Sequence, residues 1–314
     1  MGRYLIRRLL VSVVSLIAIS MVVFGILAIA PGDPLSGFAT NPNVPPELRQ
    51  RIRASMGLDD PIPVQYARWA SSYVQGDWMV SYTAKIPVRD YVMSRIPVTL
   101  MITGSAFLVS ILVAIPIGVI SALKQYSLFD QVATTFAFFG FSIPTFFSGL
   151  LLILLFSVKL QWLPFVYDGN TTDPLIQLKQ MIMPVAVLAL FQAATLARFV
   201  RASMLDNMGQ DYVRTARAKG IKETAVVVRH VLRNALFPVV TLIALQLPNV
   251  FTGAVVTEQI FRVPGMGALL IKSIQDGDTP VVMGIVLLFS ILVVIMTLVA
   301  DILYGLLDPR VKYS

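Results

Sequence analysis

The stretch from Ser203 to Pro238, SMLDNMGQDYVRTARAKGIKETAVVVRHVLRNALFP, is the only long charged segment between hydrophobic runs in the second half of the chain. Leu205, Met208, Tyr212 and Ala216 recur at helical spacing, which predicts a helix with one apolar stripe through its first half. Asp206 and Asp211 stand early in that helix and Arg214, Arg217 and Lys219 late. Gly220 follows, the order that the helix dipole and a C-terminal cap favour. A second helix is expected over 222–234, leading through Pro238 into the next apolar run. The run from Ala216 to Gly220 offers small residues for close backbone approach and cations around them, a surface suited to a partner's groove. The same charges also describe a plain basic cytoplasmic loop held inside by its lysines and arginines.

Working outward, the rest of the chain is apolar. Of its 314 residues 56% are hydrophobic and only 13% charged, with mean hydropathy +0.77. Soluble domains carry roughly a quarter charged residues, so the composition excludes two soluble domains and requires an integral membrane protein. The absence of cysteine excludes disulfides and thiolate sites, and the single histidine, His230, excludes a multi-histidine metal centre. The net charge of +8 borders the apolar runs, where membrane orientation accounts for it before nucleic acid does.

Six spans are expected. After a short basic N-terminus (1–8), the first covers 9–30 and is too long for a signal-peptide core. A polar external loop of 65 residues (31–95) opens on Pro31-Gly32-Asp33-Pro34, includes a possible helix start at Pro45-Pro46-Glu47, and carries further turn signals at Met56-Gly57-Leu58-Asp59-Asp60-Pro61 and Gly76-Asp77-Trp78. Spans two to four are read at 96–123, 131–158 and 181–197. The charged loop (198–233) follows, then a fifth span at 234–257, a last external loop at 258–279 and a sixth span at 280–307 before the tail 308–314. With the N-terminus inside, 14 lysines and arginines fall on inner segments. Once the long first loop is set aside, four fall outside, so both termini and the charged loop are expected in the cytoplasm.

No Gly-x-x-x-x-Gly-Lys-Ser/Thr and no Gly-x-Ser-x-Gly sequence occurs, so the chain offers neither a phosphate-cradling loop nor a nucleophile elbow. Candidate pathway residues are the polar positions within spans. Gln246, Asn249, Gly253 and Thr257 fall on one stripe of an unbroken fifth helix, Gln192 lies in the fourth span and Glu258 at the outer end of the fifth. Interhelical hydrogen bonding accounts for such residues equally well. Asp301, near the inner end of the sixth span, reads as a packing or snorkelling group.

The run Tyr212-Val213-Arg214-Thr215-Ala216-Arg217-Ala218-Lys219-Gly220, with Arg233-Asn234-Ala235 and Pro238 downstream, resembles the ATPase-docking loop of binding-protein-dependent ABC importer permeases. The general family pattern opens Glu-Ala-Ala, with glycine four residues after the second alanine. Here those three positions hold Arg214, Thr215 and Ala216, and the proline falls later. Both departures resemble the dipeptide/oligopeptide (peptide/nickel/opine) branch and its B-type transmembrane subunit. Pro31-Gly32-Asp33-Pro34, Phe261-x-x-Pro264-Gly265-x-Gly267, Asp278-Thr279-Pro280 and Asp308-Pro309-Arg310 resemble that branch in order, so the likeness covers the whole chain. In related permeases the last external loop forms a short re-entrant or scoop-like element.

The resemblance implies an all-helical, type I importer-like permease of six transmembrane helices, with a cytoplasmic coupling-helix loop and a long first external loop. It implies residence in the bacterial inner membrane, import of di- and oligopeptides by alternating access, and no catalysis on this chain. Asp211, Tyr212, Arg214, Thr215, Ala216, Arg217, Ala218, Lys219 and Gly220 would make the ATPase contact, with Tyr212, Ala216 and Gly220 packing into the groove. Partners implied are a homologous second permease, two ATPase subunits or a paired ATPase, an external substrate-binding protein and the lipid bilayer. No cofactor is expected on this chain, with ATP and Mg on the partner subunits. Glutathione, nickel complexes and opines remain open as alternative cargo. A secondary transporter would need ion-coupling groups at mid-membrane and a membrane enzyme a cluster of acids or histidines at one depth, and the sequence provides neither set.

Overall fold

The computed structural model describes residues 2–29, 57, 59–169, 171, 173–252 and 254–307. The turn cluster at 31–34, the helix start at 45–47 and the Asp308-Pro309-Arg310 stop lie outside them. Among the described residues the chain is helical apart from turns and one isolated antiparallel bridge, Val80 with Pro87. Among the described residues five helices are long and apolar enough to cross a membrane, or six if one bent pair counts as a single span. The chain divides into two compact units, Met1–Pro97 with Gly265–Ile295, and Val98–Pro264 with Met296–Ser314.

In order, the helices among the described residues of the first half are α1 (Gly2–Ile29), α2 (Ile62–Val74), α3 (Val88–Met93), α4 (Ile96–Leu123), α5 (Leu128–Ser142) and α6 (Thr145–Leu152), the last running on into a wider π-helical stretch, Ile153–Lys159. Those of the second half are α7 (Pro174–Met208), α8 (Asp211–Ala218), α9 (Glu223–Gln246, π-helical over Val226–Leu232), α10 (Asn249–Thr252), α11 (Val255–Ile260), α12 (Met266–Gln275) and α13 (Thr279–Leu307).

In the first unit, α1 and α2 meet through aromatic rings. Phe24 packs edge-on to Tyr66 at 5.7 Å, and Tyr66, Trp69, Tyr73 and Trp78 follow in near-contact pairs. The Ser20 and Tyr66 hydroxyls share a hydrogen bond, and Tyr73 donates to the Pro280 carbonyl at the start of α13. Val88 and Val92 on α3 are sealed against Met266 and Leu269 on α12 and Val281 and Ile285 on α13. Asp278 closes this arrangement. Its buried carboxylate accepts from the Ser81 hydroxyl (2.5 Å), the Thr83 hydroxyl (2.7 Å) and the Tyr82 and Thr83 amides (both 3.1 Å), latching the end of the first loop to the start of α13. Burial pushes the Asp278 carboxyl up, but these four donors outweigh it and hold the group below its ordinary value. Burial, helped by that carboxylate, pushes the Tyr82 phenol up to about 12.

The second unit is built around α7. At 35 residues it spans roughly 50 Å, against about 30 Å of bilayer hydrocarbon. The apolar reading at 181–197 found only its middle, because Lys179, Arg198 and Arg201 end the apolar run without ending the helix. Gly118 of α4 lets that helix approach α7 closely, since a Cβ there would stand 2.6 Å from both the Ala197 carbonyl oxygen and Val200 Cβ. Gly140 of α5 likewise faces Leu190 and Ala194.

Three expectations on element boundaries are corrected. The third run, 131–158, is two helices whose axes differ by 104°, broken at Ile143 and Pro144. Proline disfavours the α conformation in the residue before it, and Ile143 is extended (ψ 125°). The fifth run, 234–257, is interrupted at Leu247 and Pro248. Pro248 has no N–H for the Ala244 carbonyl, which accepts from Leu247 in a tighter turn instead. The helix expected over 222–234 does not stop there but continues to Gln246 through Pro238.

Candidate functional site

The charged loop is more divided than its apolar periodicity predicts. Leu205 and Met208 belong to the end of α7, Tyr212 and Ala216 to α8, and Gly209 and Gln210 break the helix between them. α8 rests on the second unit through Val213 and Ala216, which are buried with Val200 and Met204 of α7 and Val226, Val227 and Val231 of α9. Ala216 therefore faces the chain's own core, which corrects its expected place in a partner's groove. The exposed face of α8 carries Asp211, Tyr212, Arg214, Thr215, Arg217 and Ala218.

The polar residues of this face are held locally. The Tyr212 hydroxyl donates to Asn207 Oδ1 at 2.7 Å, and Asn207 donates to the Ser203 carbonyl, fixing the angle between α7 and α8. Thr215 bonds back to the Asp211 carbonyl, and Arg214 stands 3.6 Å from the Asp211 carboxylate, both side chains of that pair exposed. Arg217 makes a two-pronged pair with Glu223 at 2.7 and 3.1 Å, which ties the end of α8 to the start of α9 and raises the guanidinium above its ordinary pKa.

Past Ala218 the chain closes with Lys219 as cap and Gly220 at φ +73°. The Gly220 amide donates to the Arg217 carbonyl (2.9 Å) and the Ile221 amide to the Ala216 carbonyl (3.4 Å), the two reverse bonds of a Schellman motif. A Cβ on Gly220 would meet nothing within 4 Å, so glycine is required here by the backbone and not by crowding within the chain.

The polar positions in the spans do not form one stripe. Gln246, half-buried, ends α9, Asn249 begins α10 and is exposed, and Gly253 lies outside the described residues. Thr257 and Glu258 on α11 are buried, and Thr99 Oγ1 of α4 donates to Glu258 Oε1 at 2.7 Å. Gln192 of α7 is half-buried, with the Ser110 hydroxyl at 3.5 Å from its Oε1. The first premise of the stripe, an unbroken fifth helix, fails at Pro248.

Sequence reasoning passed over an ion pair beside the loop. Asp130, at the start of α5, accepts from Arg201 Nε (2.7 Å) and Nη2 (2.8 Å) on α7 and from the Tyr126 amide (2.9 Å). Ser127 caps the helix by accepting from the Asp130 amide. The Ser127-Leu128-Phe129-Asp130 spacing before an apolar run was the legible signal, a capping-box variant. Asp278 had no comparable signal, because its partners lie some 195 residues away in sequence.

Fold and loop together define a polytopic helical membrane protein whose most organised polar feature is a capped helical loop. Among the described residues no group of histidine, cysteine and acidic side chains is placed to hold a metal. The chain belongs to the family of binding-protein-dependent transport system inner membrane components, which matches residues 114–313, with the family's N-terminal region matching 1–103. It is 41% identical, over the full length of both chains, to the oligopeptide transport system permease protein AppB of Bacillus subtilis. Over the full length of both it is 38% identical to a putative peptide permease protein of Brucella suis and to the glutathione transport system permease protein GsiC of Escherichia coli. Among solved structures it is similar to an amino acid ABC transporter crystallised with histidines, at TM-score 0.50 and 15% identity, covering 69% of this chain and 94% of that one. That likeness concerns the fold, an ABC importer permease.

Proposed function

We propose that this chain is the permease subunit of an ATP-driven importer of short peptides, and that α8 with its Gly220 cap is the surface through which ATPase subunits drive it. The observation that carries the reading is α8 itself. It is a short helix locked onto α7 and α9 from behind by Val213 and Ala216, while its outer face of Tyr212, Arg214, Thr215 and Arg217 stays exposed. A plain basic loop has no need of a Schellman cap, a two-pronged Arg217–Glu223 pair and an apolar underside.

ATP is hydrolysed on separate chains, with a homologous permease beside this one and an external binding protein delivering cargo. Closure of the ATPases pushes α8, and the rigid attachment of α8 to α7 and α9 converts that push into a tilt of the spans, a rigid-body alternation. Both termini and the loop lie in the cytoplasm. Full-length likeness to permeases named for oligopeptides and glutathione, itself a tripeptide, supports a short peptide as cargo. Thr257, Glu258, Gln246, Asn249, Gly253 and Gln192 are retained as pathway candidates.

The test is ATP-dependent uptake of labelled short peptides by proteoliposomes holding the complete complex. Gly220→Val is expected to leave insertion of the chain intact while uptake per ATP hydrolysed falls. Normal uptake by this variant would sink the docking assignment.

A further inference from the structure

We propose that the Asp130–Arg201 pair is a positioning joint that makes α5 move with the stem of the charged loop. The proposal rests on the docking reading of α8 and extends it to how a push on the loop reaches the spans. α5 and α7 are in contact along one stripe of α7, where Leu190 and Ala194 meet Gly140, the Arg198 guanidinium lies 5.6 Å over the Phe138 ring, and Arg201 meets Asp130. Positions 190, 194, 198 and 201 recur at three and four residues, one helix face. The upper contacts are apolar or weak and permit sliding. The last is a fork on a carboxylate, which fixes both distance and rotation.

The rest of the geometry makes that fork stiff. Asp130 is buried, capped from below by Ser127 and bonded to the Tyr126 amide, so its position is set by the α4–α5 turn and not by a free rotamer. Tyr126 holds φ +62°, in the left-handed region, so the turn is itself constrained. On the other side, Arg201 stands two residues before Ser203, whose hydroxyl donates to the Ala235 carbonyl of α9 at 2.8 Å. Ser203 in turn accepts from Asn207, the residue that holds Tyr212 of α8. About two turns of α7, from Arg201 to Asn207, thus grip α5, α9 and α8 at once. Without the fork, α8 would still move α7 and α9, but α5 would be held by less directional contacts such as those of Gly140 and Phe138. The broken α5–α6 pair would then lag behind the loop.

The chain has no cysteine, so spin labels attached at introduced cysteines report single sites. Labels replacing the exposed residues Val132 on α5 and Asp206 at the end of α7 are to be read in the assembled complex, nucleotide-free and after trapping with ATP and vanadate. The parent is expected to give one narrow distance distribution that is the same in both states. Asp130→Asn, which keeps the shape and loses the charge, is expected to broaden it and make it differ between states. It is also expected to lower stimulation of hydrolysis by the binding protein about 2- to 30-fold, the range for residues that carry coupling between sites. Exchanging the partners, Asp130→Arg with Arg201→Asp, is expected to restore the narrow distribution. An unchanged distribution in Asp130→Asn would overturn the joint, as would a parent distance that shifts on trapping. A loss that the exchange does not restore would assign the effect to the bond from the Tyr126 amide to Asp130 in the α4–α5 turn and also overturn it. ATPase chains that fail to co-purify with the parent would remove the docking reading itself, a failure distinguishable from all of these.

Discussion

Gly220 and Gly118 are both required glycines, for opposite reasons. Gly220 sits in open space at φ +73°, where an L side chain costs about 1–2 kcal/mol and asparagine less. In the isolated subunit, thermal unfolding in detergent should rank glycine above asparagine above valine, and a reversed order of the last two would contradict the Schellman cap. Gly118 has ordinary backbone but no room, with the Ala197 carbonyl and Val200 each 2.6 Å from a Cβ. Gly118→Ala should cost about 1–3 kcal/mol by forcing α4 away from α7. Gly104→Ala, on the same helix with nothing within 4 Å, serves as the silent control. Unfolding midpoints of the two alanine variants settle it, and equal values would mean that α4 and α7 are not packed as described. The Gly220 requirement was legible in the sequence because a helix-stop pattern precedes it. That of Gly118 was not, since its partners are 79 to 82 residues away. Val213 is not legible as a core residue, because so short a run dominated by charged and small residues hides which face is turned inward.

At the scale of elements, the latch at Asp278 makes an acid-side prediction. A carboxyl held below its unfolded value adds stability that is complete above that unfolded value, about pH 4, and is lost as pH falls through the lower folded value. Asp278→Asn should therefore lower the unfolding midpoint at neutral pH, by an equivalent of about 2–3 kcal/mol for lost charged hydrogen bonds, and the difference from the parent should narrow below pH 4. A difference independent of pH would show that the ionised carboxylate is not what holds Ser81 and Thr83. Prolines separate the expected from the observed element boundaries. Pro116 and Pro184 lie inside unbroken helices, whereas Pro144 and Pro248 coincide with breaks. Nothing local separates the two pairs, because packing against neighbouring helices decides whether the freed carbonyl is tolerated. α7 was underestimated for a related reason, as its polar ends continue a helix that hydropathy alone cuts short.

For the molecule as a whole, the membrane class and the family lay in plain view, the first in composition and the second in the loop from Tyr212 to Gly220 and the ordered proline and glycine clusters. What could not be read was how the loop is braced, since Asp130–Arg201, Ser203–Ala235 and Tyr212–Asn207 are contacts made by the fold and not by spacing. The central claim is that this chain works as the driven half of a larger machine. It is tested most directly by purifying the tagged chain from its native membrane in gentle detergent, identifying what accompanies it and assaying ATP hydrolysis. Recovery of phosphate-loop ATPase chains with a second permease is expected, with ATP hydrolysis in the purified sample that Gly220→Val leaves running but uncouples from transport. Recovery of the chain alone, inert toward ATP yet able to transport after reconstitution, would contradict it.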